Sequence, residues 1–266
     1  MISADELVGR LLDISRDTRV CILDSCGVGY LDSHLLIAGI DPYETTEFSH
    51  GETAILERVN SLVEGDLPCI FTLSYEFGMA LAGLPSRQVA SDEPYAFLAR
   101  FENLVVYNYS LGRVLVLGRD HKRIAEHILD SNGTATPYAR SKSKLLSAAF
   151  TKHEYFAAVR EVQDEIRSGN TYQTNITQNF TVALGGLVPQ TVFSNLRRDH
   201  PAAFAAFIQR EDSTVVSASP ERFFRTKDGT IEASPIKGTT ARTGNEAIDR
   251  EARYQLLHSR KDLAEN

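Results

Sequence analysis

Residues 217–239 read SASPERFFRTKDGTIEASPIKGT, and the pattern that decides the fold lies here. Asp228-Gly229 sits between two apolar or β-branched arms, residues 223–226 and 230–233, and predicts a tight hairpin. Glu221 stands just before the first arm and Lys237 just after the second. They are nearly equidistant from the turn, so a hairpin brings an acid and an amine to one end of the ribbon. Directly opposed residues of a hairpin have Cβ atoms about 5 Å apart. This pair lies beyond the arms, so the expectation is proximity, not contact. Pro220 and Pro235 stop the ladder near both residues, because proline cannot donate to it. Gly238 and Thr239 then offer backbone N–H groups in a turn, a cradle for an anion. On spacing alone a rim salt bridge fits as well, since surface ion pairs are common and worth little.

The 266 residues suffice for one large domain or two small ones. A net charge of −7 weighs against nucleic acid or an acidic membrane surface as the main partner. It leaves a small anionic substrate open, which needs only local positive charge. Cys21, Cys26 and Cys69 are odd in number and lack CxxC spacing, as expected of reduced, mostly buried thiols. The N-terminus carries acids where a signal peptide carries basic residues, and no run approaches a membrane span, so a cytoplasmic protein is expected.

In chain order, Ser3 with Glu6 opens a helix through Ile14. Residues 20–23, 35–40 and 68–73 read as strands, and 53–63 as an amphipathic helix. Residues 104–109 and 113–117 form a hairpin, and 121–129 a helix. Residues 130–143, rich in Ser, Thr, Gly and Asn, are the best linker, dividing an N-terminal region (1–140) from a second region (141–266). Residues 152–168 read as a helix with Tyr155, Val159, Val162 and Ile166 on one face, closed by Gly169. Residues 172–183, 203–209 and 214–218 read as strands, and 189–198 and 245–257 as helices. Helices alternating with hairpins favour an α+β layered fold over a regular parallel sheet. Ser259 opens a last helix with Asp262 three residues on, and the sequence stops at Asn266. That favours the N-terminal part of a longer protein, with the second region cut short.

SASPERF, PIKGT and the final KDLAEN together resemble the chorismate-utilising family. Its members include component I of anthranilate synthase and of aminodeoxychorismate synthase, isochorismate synthase and salicylate synthase. SGNTYQTNITQNF (168–180) is similar to the family's SGDIYQVNLTQRF, and ILDS (22–25) and SYEFG (74–78) to its N-terminal elements. The resemblance covers essentially the whole chain and implies an α/β/β/α layering of antiparallel sheets with outer helices, like anthranilate synthase component I but incomplete at the C-terminus. Anthranilate synthases resemble PIAGT at the loop and aminodeoxychorismate synthases PIKGT; here the residue is Lys237. Water-adding members carry a lysine where this chain has Gln173. The resemblance therefore leans to aminodeoxychorismate synthases, which lead to p-aminobenzoate and folate. Anthranilate synthase chemistry, or a shortened non-catalytic chorismate-binding homologue, is the alternative.

What the resemblance implies can be placed residue by residue. Lys237 attacks chorismate and Glu221 acts as general acid/base. A free lysine, with a pKa near 10.4, needs burial or a cationic neighbour to become a good nucleophile at neutral pH. Gly238 and Thr239 hold a substrate carboxylate, and Glu265 binds Mg²⁺. Ammonia comes from a glutamine amidotransferase subunit or fused domain. Ser25 lines a tryptophan pocket, although relatives often carry an arginine near His34, and its absence counts against tryptophan there. Further family motifs would lie beyond Asn266, so this chain alone is not expected to turn over chorismate.

Overall fold

The computed structural model describes residues 2–84, 93–133 and 142–265, apart from the Glu265 side chain. The chain opens with helix α1 (Ala4–Ile14), whose Ser3 Oγ accepts the Glu6 N–H at 3.1 Å. Strands β1 (Val20–Asp24), β2 (Leu35–Ile40) and β3 (Glu44–Phe48) follow. Helix α2 (Ile55–Val63), strand β4 (Cys69–Leu73), helix α3 (Tyr75–Leu81) and strand β5 (Ala96–Arg100) come next. The hairpin of β6 (Asn103–Asn108) and β7 (Arg113–Gly118) leads to α4 (His121–Asp130). Beyond lie β8 (Lys144–Ala148), α5 (Lys152–Arg167), β9 (Phe180–Ala183), α6 (Pro189–Asp199), β10 (Phe204–Gln209) and β11 (Thr214–Ser219). A short hairpin, β12 (Arg225–Lys227) and β13 (Thr230–Glu232), precedes α7 (Glu246–Leu257) and α8 (Arg260–Glu265).

Six strands form one antiparallel sheet in the order β11-β10-β1-β2-β6-β7, and three form a second in the order β3-β5-β4. The first sheet thus pairs strands from before and after the segment 134–141, which holds the expected region boundary and lies outside the described residues. Strand alternation gives it two apolar faces. Val20 and Ile22 of β1 pack with Leu7 and Leu11 of α1, Ile124 and Ile128 of α4, and Phe193 of α6. Cys21, between them in sequence, joins Ile208 in the layer against Ile70, Phe97, Ala99 and Phe101 of the second sheet and its edge. The far side of that sheet buries Phe48, Ala96 and Leu98 under Ile55 and Val59 of α2 and Phe77 of α3. The result is the expected α/β/β/α order, close to the mixed layering that two-faced sheets require. Gly39 in β2 marks where the sheets meet most closely: a Cβ there would lie 2.5 Å from the Phe101 ring.

Several expectations are corrected. β3 gave no sequence signal because Phe48 is its only strongly apolar residue; it is an edge strand on β5. Helix α3 is too short, at 7 residues, to show periodicity, although Ser74 caps it. Of the strand expected over 172–183, only Phe180–Ala183 forms, paired with β8; residues 172–179 have no ladder partner among the described residues. The apolar face expected of α5 is formed but not buried: Tyr155, Val159 and Val162 are half-buried and Ile166 is exposed. No residue of α5 is fully buried.

Candidate functional site

The hairpin turns where the sequence expects. Asp228 and Gly229 both adopt positive φ, 50° and 74°, as a two-residue type I′ turn requires. The ladder pairs Arg225 with Glu232, Thr226 with Ile231 and Lys227 with Thr230, and stops there. The arms are therefore shorter than the expected 223–226 and 230–233. The Phe223 and Phe224 rings lie against each other at a tilt of 55°, with centroids 4.9 Å apart. Carried past the ladder, the same register sets Glu221 against Ile236, the neighbour of Lys237. In the chain, Glu221 lies four residues before the ladder and Lys237 five residues after it. Among the described residues no hydrogen bond or ion pair joins them, so the rim salt bridge is not what this arrangement provides. Glu221 is exposed and Lys237 half-buried. The Ser219 hydroxyl accepts the Glu221 N–H at 3.3 Å and donates to its carbonyl at 3.0 Å, fixing the backbone where β11 ends.

Beyond Lys237 the chain docks on the corner between α7 and α8. Gly238 has φ 50°, and a Cβ there would lie 2.7 Å from both Asp262 Cγ and Leu256 Cδ1. Only glycine suits that approach. The contact brings PIKGT against the helix that carries KDLAEN. Asp249 ties the following turn to α7, accepting from Thr243 N–H at 2.7 Å, Thr243 Oγ at 2.8 Å and Gly244 N–H at 3.2 Å. Those backbone and hydroxyl donors hold its carboxyl below the usual range. Between this loop and α7 lies a cleft of about 800 Å³ that Gly238 and Thr239 line together with Arg242, Arg250 and Arg253. Glu246 and Asp249 line it too, so its positive charge is local. Arg250 and Arg253 were not singled out from the sequence. Their i, i+3 spacing on a helix facing the loop is the signal that could have found them.

Glu265 closes α8, one turn beyond Asp262; its side chain lies outside the described residues. Among the described residues no group of three or more acidic, histidine or cysteine side chains forms a metal cluster. Magnesium does not demand one. It keeps several waters and commonly takes one or two carboxylates plus substrate oxygens, and the Asp262 carboxylate of α8, beside Gly238, is of that donor type.

Ser25 is 2% exposed, and its hydroxyl is buried without a hydrogen-bond partner. It lines a cavity of about 270 Å³ with Asp32, Ser33, His34 and Phe204. Behind it, Asp24 is fully buried and accepts from Arg197 Nε at 2.7 Å and Tyr109 Oη at 2.7 Å. Arg197 also donates to Tyr109 Oη at 2.9 Å and to Asp5 at 2.5 Å. Burial, and then the Asp24 charge, push the Tyr109 hydroxyl well above its ordinary range. This brace holds the end of β1, and so Ser25, in place. The structure keeps Ser25 in a pocket of its own, while Gly238 and Thr239 share the other cleft with the hairpin's exit.

The four layers share the fold of anthranilate synthase component I. The crystal structure of anthranilate synthase component I from Streptococcus pneumoniae TIGR4 superposes with a TM-score of 0.71 over 90% of this chain and 60% of that one, at 17% identity. The sequence pattern of the chorismate binding enzymes matches residues 21–266, and the chain belongs to that family. Relatives include aminodeoxychorismate synthase component 1 of Klebsiella aerogenes, 30% identical over 193 residues (72% of this chain, 43% of that one). The Salmonella typhimurium LT2 protein of the same name is 37% identical over 133 residues, 50% of this chain and 29% of that one. Anthranilate synthase component 1 of Saccharolobus solfataricus is 27% identical over 180 residues, 68% of this chain and 40% of that one. The chain thus spans less than half the length of these relatives. No helix among the described residues is long and apolar enough to cross a membrane.

Proposed function

We propose that the protein carries the aminodeoxychorismate synthase reaction: chorismate and ammonia give 4-amino-4-deoxychorismate, a precursor of p-aminobenzoate and folate. The observation that supports this reading is the seating of the Lys237 loop on α8 through Gly238, with Glu221 on the segment that enters the same hairpin. In the proposed sequence the Lys237 amine attacks C2 of the chorismate ring. The C2–N bond forms, both ring double bonds shift, and the C4–O bond breaks. Glu221 gives its proton to the departing hydroxyl, which leaves as water. Ammonia then adds at C4, the double bonds shift back, and the C2–N bond breaks to free Lys237. Gly238 and Thr239 hold a substrate carboxylate by their backbone donors, with Arg242, Arg250 and Arg253 on the wall of the same cleft. Magnesium, held by Glu265, would supply a cationic anchor for a carboxylate. Ammonia would come from a glutamine amidotransferase subunit or fused domain. The Ser25 cavity, with its unpartnered hydroxyl, is the place proposed for tryptophan. The division into an N-terminal region (1–140) and a chorismate-binding region (141–266), and a cytoplasmic location, belong to the same proposal.

Lys237→Ala tests the reading in the intact protein, supplied with chorismate, ammonium and Mg²⁺. Ammonia-dependent product should fall by about a hundredfold or more. Undiminished turnover would rule out Lys237 as the nucleophile. The tryptophan proposal has an optical test, because the chain contains no tryptophan of its own. Fluorescence excited at the red edge then reports only the added amino acid. Binding should shift its emission, and Ser25→Ala should weaken that shift.

A further inference from the structure

Arg222 follows Glu221 directly, and its side chain is only 11% exposed. One guanidinium nitrogen donates to the Glu232 carboxylate at 2.7 Å, closing the hairpin beyond its last ladder pair. The other donates to the backbone carbonyl of Leu31. The guanidinium also lies over the Phe204 ring, 5.5 Å from its centroid. Leu31 and Asp32 form a turn with two consecutive positive φ angles, 50° and 58°, without glycine. Such a turn persists only when its surroundings hold it. Here Ser33 does so, its N–H donating to the Tyr30 carbonyl at 2.9 Å and its Oγ to the Ala203 carbonyl at 2.7 Å.

The hairpin itself has little else to fix it. Its two strands pair only with each other, not with the six-stranded sheet. Phe223 and Ile231 are 86% and 73% exposed, so apolar packing does not set its angle. A planar guanidinium can satisfy two acceptors in different directions at once, which a lysine ammonium on a flexible stem does less rigidly.

We propose that Arg222 is a positioning residue for Glu221. It fastens the open end of the hairpin to the Leu31–Asp32 turn and the Phe204 ring, and so sets where the Glu221 carboxyl stands relative to the Lys237 loop. The catalytic part of this inference rests on the role proposed for Glu221. Arg222 itself touches no reacting atom.

The test compares Arg222→Ala, Arg222→Lys and Glu232→Gln in the intact protein, by amide hydrogen exchange and by steady-state kinetics. Glu232→Gln takes the charge out of the contact within the hairpin and leaves the Leu31 contact alone, so exchange should rise in residues 223–234 alone. Arg222→Ala should raise exchange about tenfold in two separate peptides, residues 28–34 and 219–224. It should also lower kcat for aminodeoxychorismate by about tenfold or more, with KM for chorismate little changed. Arg222→Lys, which keeps the charge and the stem, should fall between wild type and alanine and serves if the alanine variant does not fold. Exchange confined to the hairpin, as for Glu232→Gln, would overturn the proposal, and so would unchanged kcat. If the wild type makes no product, the proposed reaction fails, and the paired exchange response still decides whether Arg222 holds the two segments together.

Discussion

At the scale of single residues, the fold relies on a few polar groups placed where burial gives them consequence. Asp24 is fully buried and Arg197 nearly so. Arg197→Met would leave a buried carboxylate without its cation, at a cost of about 3–5 kcal/mol. Arg197→Met with Asp24→Asn should cost clearly less, because no unpaired charge remains; equal losses in urea unfolding would contradict this account of the brace. Cys21 is a second such residue. Burial pushes its thiol from 9.0 up to about 12. The folded chain therefore holds that proton more tightly than the unfolded chain. The stabilisation is complete below about pH 9 and is lost as pH climbs from there toward 12. Cys26, Cys69 and Tyr109 shift in the same direction, chiefly through burial. Stability should thus decline between about pH 9 and pH 11, and Cys21→Ala should flatten that decline. An unchanged slope would show that Cys21 is not the group responsible. The sequence alone marked the three cysteines as reduced and inward, but which ones lie between the sheets depends on the register of β1.

At the scale of elements, what could be read beforehand was what carries its signal locally. Asp228-Gly229 needs only two residues to specify a type I′ turn, and the turn forms there. Ser3 and Gly169 mark helix ends by their own chemistry, and those ends are observed within a residue or two. Elements defined by a partner were not legible. β3 exists because β5 offers it an edge, and the 172–179 segment has no ladder partner among the described residues. The site divides the same way. PIKGT could be singled out as a motif, but its seat on Asp262 and Leu256 is tertiary, as are the arginines facing it. Two glycines carry tests of this level. Gly39→Ala would drive a methyl group into the Phe101 ring between the sheets and should cost about 1–3 kcal/mol in thermal or urea unfolding. Gly238→Ala combines a left-handed backbone with a 2.7 Å approach to α8. Because the loop lies outside the main core, it should weaken chorismate binding while leaving the unfolding midpoint nearly unchanged. A large loss of stability with normal binding would reverse that assignment.

At the scale of the whole molecule, the three buried clusters all lie in the four stacked layers, while α5, β8, β9, the hairpin and α7 contribute no buried residue to them. The chain therefore joins a well-packed scaffold to a set of chemically loaded segments held by specific contacts: Gly238 on α8, Asp249 on its turn, Arg222 on Leu31. Family membership follows from the sequence pattern across 21–266 and agrees with the layering. The particular chemistry turns on one side chain. Intact-mass analysis of the protein incubated with chorismate and Mg²⁺, without ammonia, followed by peptide mapping, addresses it most directly. The account predicts an adduct with the mass of chorismate less one water, located on Lys237 and discharged when ammonium is added. Formation of 4-amino-4-deoxychorismate with no adduct on Lys237, or with the adduct on another residue, would contradict it.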